Sequence, residues 1–117
     1  YQKIEIMELK DSNKQKENEE ILRVLNEKDF NICMDIKGKK INSEELSELI
    51  DKTFTNGYST ITFIIGASEG LTDEVKNKCN YKLSFSDLTF PHGLFRGILL
   101  EQIYRSFKII NNESYHK

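Results

Sequence analysis

The residues best suited to chemistry lie in the last third of the chain. Glu101 and Arg105 are four positions apart, the spacing at which two side chains meet on one face of a helix. His92 follows Pro91, the only proline, and His116, the other of the two histidines, lies in a polar tail. Because an unperturbed histidine changes its charge near neutral pH, either one could move a proton.

Each of these residues also has an ordinary structural interpretation. Glu101 and Arg105 could form a surface ion pair worth ~0.5 kcal/mol. We expect both to flank an apolar stripe of the last helix, with the polar tip of Tyr104 nearby, and this favours a functional role. His92 could donate to a carbonyl at the helix entrance, and disorder is the default for the tail that carries His116. No Cys–His or Ser–His–Asp set can be assembled.

Two further features follow predicted strands. Asp35 ends a strand next to Lys37-Gly38, so it could accept from a ligand hydroxyl or stabilise the turn. The segment Gly66 to Gly70 (GASEG) follows a β-branched strand, and glycine lets the backbone approach a ligand closely. It lacks the spacing of a dinucleotide fingerprint and the Lys-Ser/Thr of a P-loop, so an ordinary strand-to-helix turn remains an alternative.

Composition predicts one soluble domain covering residues 1–117. The chain has 38% hydrophobic and 31% charged residues, and no apolar run approaches the ~20 residues of a bilayer span. Cys33 and Cys79 lack metal-ligand spacing, so no metal is expected. Cys33 lies in an apolar run, which favours a reduced, buried thiol in a cytoplasmic protein over a disulfide.

Charge is unevenly distributed along the chain. The formal net charge of −2 argues against a general nucleic-acid binder. From Pro91 onward, however, four basic side chains outnumber two acidic ones. A local basic face at this end, doubled by dimerisation, is therefore compatible with the sequence.

The elements that must position these residues follow from hydrophobic periodicity. Strands are predicted at residues 3–9, at Phe30–Ile36, at Ser59–Ile65 and at Tyr81–Ser86. Residues 11–20 are charged and predict a solvated loop. The first predicted helix runs from Ile21 to about Glu27, and its apolar face consists of Ile21, Leu22, Val24 and Leu25. A second helix is predicted from a cap at Asn42 or Ser43 to Asn56-Gly57. A third, short helix is predicted after a cap at Thr72, and a fourth from about Leu94 to Ile110. Alternating strands and helices predict an α/β fold with a mostly parallel sheet.

The last helix completes a corner at the mouth of this sheet. Leu83 to Arg105 reads as a strand, a polar turn, a Pro-His corner and a long helix, and open α/β sheets bind ligands at such an edge. The predicted apolar face of this helix consists of Leu94, Ile98, Leu99, Ile103, Phe107 and Ile110.

Four segments closely resemble the RlmH family, small SPOUT-superfamily enzymes that methylate a pseudouridine of bacterial 23S ribosomal RNA. They are FIIGASEGL (63–71), LSFSDLTFPH (83–92), LLEQIYRSFKI (99–109) and the terminal YHK. The resemblance begins at Tyr1, and family members carry a further strand and helix before that point.

The resemblance implies a C-terminal trefoil knot that holds S-adenosylmethionine. It also implies a homodimer with a shared active site, acting on 23S ribosomal RNA in the assembled ribosome, with no membrane and no metal. Carried over by position, the cofactor-binding residues are Met34, Gly66, Phe85, Ser86, Asp87, Leu88, Thr89 and Phe90.

The resemblance also suggests what the candidate catalytic and RNA-binding residues would do in methyl transfer. Arg105 would stabilise the negative charge that develops on the pseudouridine base, and Glu101 would orient Arg105. His116 or His92 would accept the proton that leaves N3 of this base. Tyr115 would stack on the flipped base or hydrogen-bond to it. The expected phosphate contacts are Arg96, Lys108 and Lys117. A non-catalytic α/β nucleotide-binding module and a SPOUT methyltransferase acting on tRNA are the alternatives.

Overall fold

The computed structural model describes residues 2–8, 14–66, 71–86 and 90–112, without the side chains of residues 14, 15, 17 and 92. Strands and helices alternate through these residues. They are β1 (Lys3–Glu8), α1 (Lys14–Val24), β2 (Phe30–Lys40), α2 (Ser43–Thr55), β3 (Thr60–Ile65), α3 (Asp73–Lys78), β4 (Tyr81–Ser84) and α4 (His92–Ile110).

The strands form a parallel sheet in the order β1-β3-β2-β4, which confirms the predicted fold class. From β1 the chain skips one position in the sheet to form β2, and β3 then fills the gap between β1 and β2. From β3 the chain crosses β2 in the other direction to form β4 at the far edge. Parallel crossovers are right-handed, so connections that run in opposite directions cover opposite faces of the sheet. This rule places α1 and α3 on one face and α2 on the other, where the C-terminal helix α4 packs against α2.

The core has two halves that match this arrangement. On one face, Ile21 of α1 and Val75 of α3 pack with Cys33 and Ile64. On the other face, α2 and α4 cover alternate residues of the same strands. The cluster on that side consists of Ile32, Met34, Leu46, Ile50, Phe54, Ile61, Phe63, Ile65, Leu83, Leu99 and Ile103.

The prediction of a solvated loop over residues 11–20 is wrong from Lys14 onward, where α1 begins. Lys, Gln and Glu are good helix formers, and Lys16, Glu19 and Glu20 are exposed on this helix. This part of the helix has no apolar side chain to bury, and the polar Asn18 is buried in its place, with 1% of the residue exposed. Its Oδ1 accepts a hydrogen bond from the Thr72 backbone N–H at 2.7 Å. The helix also ends early, so Val24, predicted to be buried, is 63% exposed.

The prediction that β2 ends at Lys37-Gly38 is also wrong, because the strand continues to Lys40. Leu83 of β4 aligns first with Met34 and then with Lys39, so a bulge in β2 absorbs the residues between them. A Cβ at Gly38 would lie 2.7 Å from the carbonyl carbon of Lys82. The glycine is therefore required by close packing against β4 and does not end the strand.

Helix α2 begins and ends as the sequence predicts. The Asn42 side chain accepts from the Glu45 N–H at 2.8 Å, and the Glu45 carboxylate accepts from the Asn42 N–H at 3.0 Å. This capping box fixes Ser43 as the first helical residue. At the other end, Gly57 adopts a φ of 105°, which non-glycine residues rarely adopt.

Smaller differences affect the last two elements. β4 ends at Ser84, two residues before its predicted end, and α4 begins at His92, two residues before its predicted start. Thr72 caps α3 as predicted and accepts from the Val75 N–H at 3.4 Å. No helix in the described ranges is long and apolar enough to cross a membrane.

Candidate active site

The carboxyl ends of β2 and β3 form the crevice at which this sheet can bind a ligand. Helix α2 follows β2 on one face and α3 follows β3 on the other, which makes the gap between these strands a topological switch point. Pairing of the two strands ends at Cys33 with Ile64. Of the predicted cofactor residues, Met34 follows Cys33 within β2, and Gly66 follows Ile65, the last residue of β3.

The segment after β4 is attached to the start of α4. The ring of Phe95 lies 5.6 Å from that of Phe85 and 6.4 Å from that of Phe90. The Ser84 hydroxyl donates to the Ser86 carbonyl at 3.1 Å and closes the turn that follows the strand. Phe85 and Ser86 therefore lie just past the carboxyl end of β4, and Phe90 lies near the same Phe95 ring that meets Phe85. The remaining predicted cofactor residues, Asp87, Leu88 and Thr89, fall outside the described residues.

Asp35 stabilises its own surroundings. Its Oδ1 accepts from the Lys37 N–H at 3.1 Å, and its Oδ2 lies 3.4 Å from Lys76 Nζ. The side chain is only 10% exposed. Both carboxylate oxygens are engaged by protein groups, so the geometry matches the turn-stabilising alternative.

The two cysteines are free thiols, and the prediction that Cys33 is buried and reduced is confirmed. Their side chains are hydrogen-bonded to each other. This hydrogen bond lowers the pKa of Cys33 and raises the pKa of Cys79, and burial raises the pKa of Cys79 further. The described residues contain no group of three or more metal-ligating side chains.

Glu101 and Arg105 form the ion pair that their spacing predicts. Arg105 Nη2 lies 2.9 Å from Glu101 Oε2, and Arg105 Nε donates to the same oxygen at 3.1 Å. Two guanidinium nitrogens thus hold one carboxylate, which fixes the direction of the guanidinium better than a single contact would. The side chain of Arg105 is 23% exposed and that of Glu101 is 38% exposed, so the pair is partly shielded from water.

The face of α4 that carries this pair points away from the core. Leu99 and Ile103 are 0% and 7% exposed, and at about 100° per residue Glu101 lies opposite both. The prediction that the pair flanks one apolar stripe is therefore wrong, because the predicted stripe combined two faces of the helix. Leu94, which belongs to the Glu101 side, is 55% exposed instead of buried.

This outward face of α4 combines apolar and charged side chains. Leu100 and Tyr104 are 47% and 51% exposed, and Lys108 Nζ lies 5.3 Å from the centre of the Tyr104 ring. Large exposed apolar side chains next to a fixed ion pair are typical of a surface that meets a partner or a substrate.

A polar connection from α2 reaches the same ion pair. The Ser43 hydroxyl donates to Gln102 Oε1 at 2.7 Å, and Gln102 Nε2 donates to Glu101 Oε1 at 3.1 Å. Neither Ser43 nor Gln102 was predicted to be a site residue. Serine at a helix start and glutamine inside a helix are common, and only the packing of α2 against α4 brings them together.

The remaining predicted residues are placed differently. Arg96 Nη1 lies 3.0 Å from Glu8 Oε1, so this arginine ties α4 to the carboxyl end of β1. His92 is the first residue of α4, and its side chain is outside the described part of the chain. Tyr115, His116 and Lys117 also fall outside it.

Comparison with known proteins gives consistent matches. A family model described as "Predicted SPOUT methyltransferase" matches residues 1–116. Proteins from Clostridium botulinum strains Kyoto and Okra are each 52% identical over 111 residues, which is 93% of this chain and 70% of theirs. A Clostridium acetobutylicum protein is 45% identical over 130 residues, covering all of this chain and 82% of its own length. All three are named ribosomal RNA large subunit methyltransferase H.

Proposed function

The chain belongs to the SPOUT methyltransferase family, and we propose that it methylates N3 of a pseudouridine in 23S ribosomal RNA within the assembled ribosome, using S-adenosylmethionine. The names of its relatives support large-subunit ribosomal RNA as the substrate. The observation that carries the proposal is the ion pair of Arg105 with Glu101, which presents an oriented cation on an outward face.

The residues at the switch point fit the proposed cofactor. An adenosyl group needs an apolar slot and hydrogen-bonding groups for its polar edges, and a cleft with few polar groups is the usual form of such a site. Met34, Phe85 and Phe90 would supply apolar surface, and the backbone at Gly66 and Ser86 would supply polar groups just beyond the ends of β3 and β4, the two strands that flank β2. Bound there, S-adenosylmethionine would supply an activated methyl group on a sulfonium.

The protein's own contribution would be orientation, charge and one proton. The imide N3–H of the base is a weak acid, so a negative charge develops on the base when this proton leaves. Arg105 would stabilise that charge, which is more effective because Glu101 has already fixed its direction. His92 or His116 would accept the proton, and Tyr115 would stack on the base or hydrogen-bond to it.

Binding of the RNA would draw on basic residues in the last part of the chain. Arg96, Lys108 and Lys117 would contact phosphates, and this part of the affinity would fall as salt rises. The exposed Leu100 and Tyr104 favour a homodimer in which this face of α4 meets a second copy near the site. The trefoil knot remains a prediction from the family resemblance.

Methyl transfer to defined acceptors tests the proposed function. Labelled S-adenosylmethionine would be incubated with the protein and with assembled ribosomes, free ribosomal RNA or tRNA, each isolated from cells that lack the modification. We expect transfer to assembled ribosomes and the label at N3 of one pseudouridine. Transfer to tRNA instead, or cofactor binding without transfer to any acceptor, would contradict the proposal.

A further inference from the structure

In the described part of the chain, the side chain of Gln102 joins helix α2 to the Glu101–Arg105 ion pair. Its amide oxygen accepts from the Ser43 hydroxyl at 2.7 Å. Its amide nitrogen donates to Glu101 Oε1 at 3.1 Å. A continuous series of hydrogen bonds thus runs from the first residue of α2 to the guanidinium of Arg105.

The direction of every bond in this series is determined by chemistry. An ionised carboxylate can only accept, so the amide of Gln102 must turn its nitrogen toward Glu101. The amide oxygen then faces Ser43, whose hydroxyl must donate. Only one arrangement of the three side chains satisfies all of them.

Gln102 strengthens the hold on one oxygen of Glu101. Arg105 makes its two shortest contacts with Oε2 and a longer one, from Nε at 3.4 Å, with Oε1, and Gln102 donates to this same Oε1 at 3.1 Å. Loss of Gln102 would weaken the hold on Oε1, and a carboxylate that is 38% exposed would then rotate more readily about its terminal bond. Gln102 therefore helps to fix the plane of the carboxylate and with it the direction in which Arg105 points.

The origin of the series is itself rigid. Ser43 is held as the first residue of α2 by the capping box of Asn42 and Glu45. Helix α2 in turn packs Leu46 and Ile50 into the same core as Leu99 of α4. Packing of α2 in the core therefore helps to determine the position of an ion pair on the outward face of α4.

We propose that Ser43 and Gln102 are positioning residues for methyl transfer, which set the direction of the Arg105 guanidinium through Glu101 without contacting the substrate. This inference rests on the proposed role of Arg105. Neighbours of this kind act by holding a catalytic group in its productive geometry, and a displacement of about 1 Å can cost up to ~100-fold in rate.

The test compares Gln102→Ala, Ser43→Ala and Ser43→Thr with the parent protein. We expect Gln102→Ala to lower kcat roughly 10-fold or more, with the KM for S-adenosylmethionine unchanged. Ser43→Ala should lower kcat less, and Ser43→Thr, which keeps the hydroxyl, should restore it. The matched control is Ser106→Ala, which removes a hydrogen bond to the backbone carbonyl of Gln102 and leaves its side chain alone.

Two further measurements separate positioning from a general structural effect. In a Glu101→Ala background, Gln102→Ala should cost nothing more, because Gln102 acts through Glu101. Nitrogen-15 spectra should show the Arg105 Nε–H protected from solvent exchange in the parent and in Ser43→Thr, but exposed in Gln102→Ala and in Ser43→Ala.

The outcomes distinguish this inference from the proposed function. If Arg105→Ala is inactive while Gln102→Ala and Ser43→Ala keep full kcat and a protected Arg105 Nε–H, the positioning inference is wrong. If Arg105→Ala keeps full activity, the proposed role of Arg105 fails, and the inference fails with it. Equal losses in Gln102→Ala with and without Glu101 would also overturn it.

Discussion

Arg105 is the residue whose replacement should matter most for activity. We expect Arg105→Ala to lower kcat about 10²- to 10³-fold, the usual loss when one donor that stabilises transition-state charge is removed. Arg105→Lys should recover part of the activity, because a lysine keeps the charge but cannot contact Glu101 through two nitrogens. Methyl transfer to ribosomes measures both.

The control for this substitution is Arg23→Ala, because it also replaces a helical arginine by alanine, at an exposed position of α1. Arg23→Ala should leave transfer unchanged. An Arg105→Ala protein that folds normally and transfers methyl groups at the parent rate would contradict the role given to Arg105.

Two glycines should respond in opposite ways to the same change. A Cβ at Gly38 would lie 2.7 Å from the backbone of Lys82, so Gly38→Ala must displace β2 from β4 and should destabilise the protein by about 1–3 kcal/mol. Gly97 lies within α4 with nothing within 4 Å of its Cβ position, so Gly97→Ala should stabilise it by up to about 1 kcal/mol.

Denaturant unfolding of both variants checks this pair of predictions. A Gly38→Ala protein as stable as the parent would show that the bulge in β2 adapts without cost. A destabilised Gly97→Ala protein would contradict the gain expected from the open space beside this glycine.

At the scale of elements, the capping box of α2 should contribute measurably to stability. Asn42→Ala removes the side-chain acceptor for the Glu45 N–H and should lower the free energy of unfolding by about 1 kcal/mol. Asn42→Ser and Asn42→Asp should lose less, since both can cap. Thermal or denaturant unfolding measures the difference, and equal stability of the alanine and serine variants would contradict it.

The elements also show where sequence patterns succeed and where they fail. The buried strand Thr60–Ile65 and the capped helix α2 were predicted because strong local signals coincide with their burial. Helix α1 was missed in part because its buried contact is a polar residue, Asn18, whose partner Thr72 is distant in the chain. The continuation of β2 past Gly38 depends on close packing against β4, which no local pattern reveals.

The candidate site shows the same division. The spacing of Glu101 and Arg105 predicts their ion pair correctly, because the contact is local to one helix. The direction of that pair was misjudged, since Leu94 was assigned to the core. The link from Ser43 to Gln102 depends on how two helices pack, and a single sequence carries no signal for it.

At the scale of the whole molecule, the outward face of α4 should determine the oligomeric state. We expect Leu100→Lys to weaken the proposed homodimer, because Leu100 is 47% exposed and a charge would be buried against the second copy. Val24→Lys is the matched control: Val24 is 63% exposed at the end of α1, on the opposite side of the sheet.

Sedimentation at several protein concentrations measures this effect. The parent and Val24→Lys should show the same dimer, and Leu100→Lys should shift toward monomer. A parent protein that is monomeric at all concentrations, or a Leu100→Lys dimer as stable as that of the parent, would contradict the use of this face.

The strand order has a consequence for the time course of folding during synthesis. β1 pairs with β3 in the described sheet, with Lys3 opposite Thr60, so this pairing cannot form until the chain has been made as far as β3. Such distant contacts close slowly, and domains fold as units while the chain emerges. The segment that contains Ile4 and Ile6 must therefore wait for this partner strand, and nascent chains stopped before β3 should bind chaperones more strongly than chains that include it.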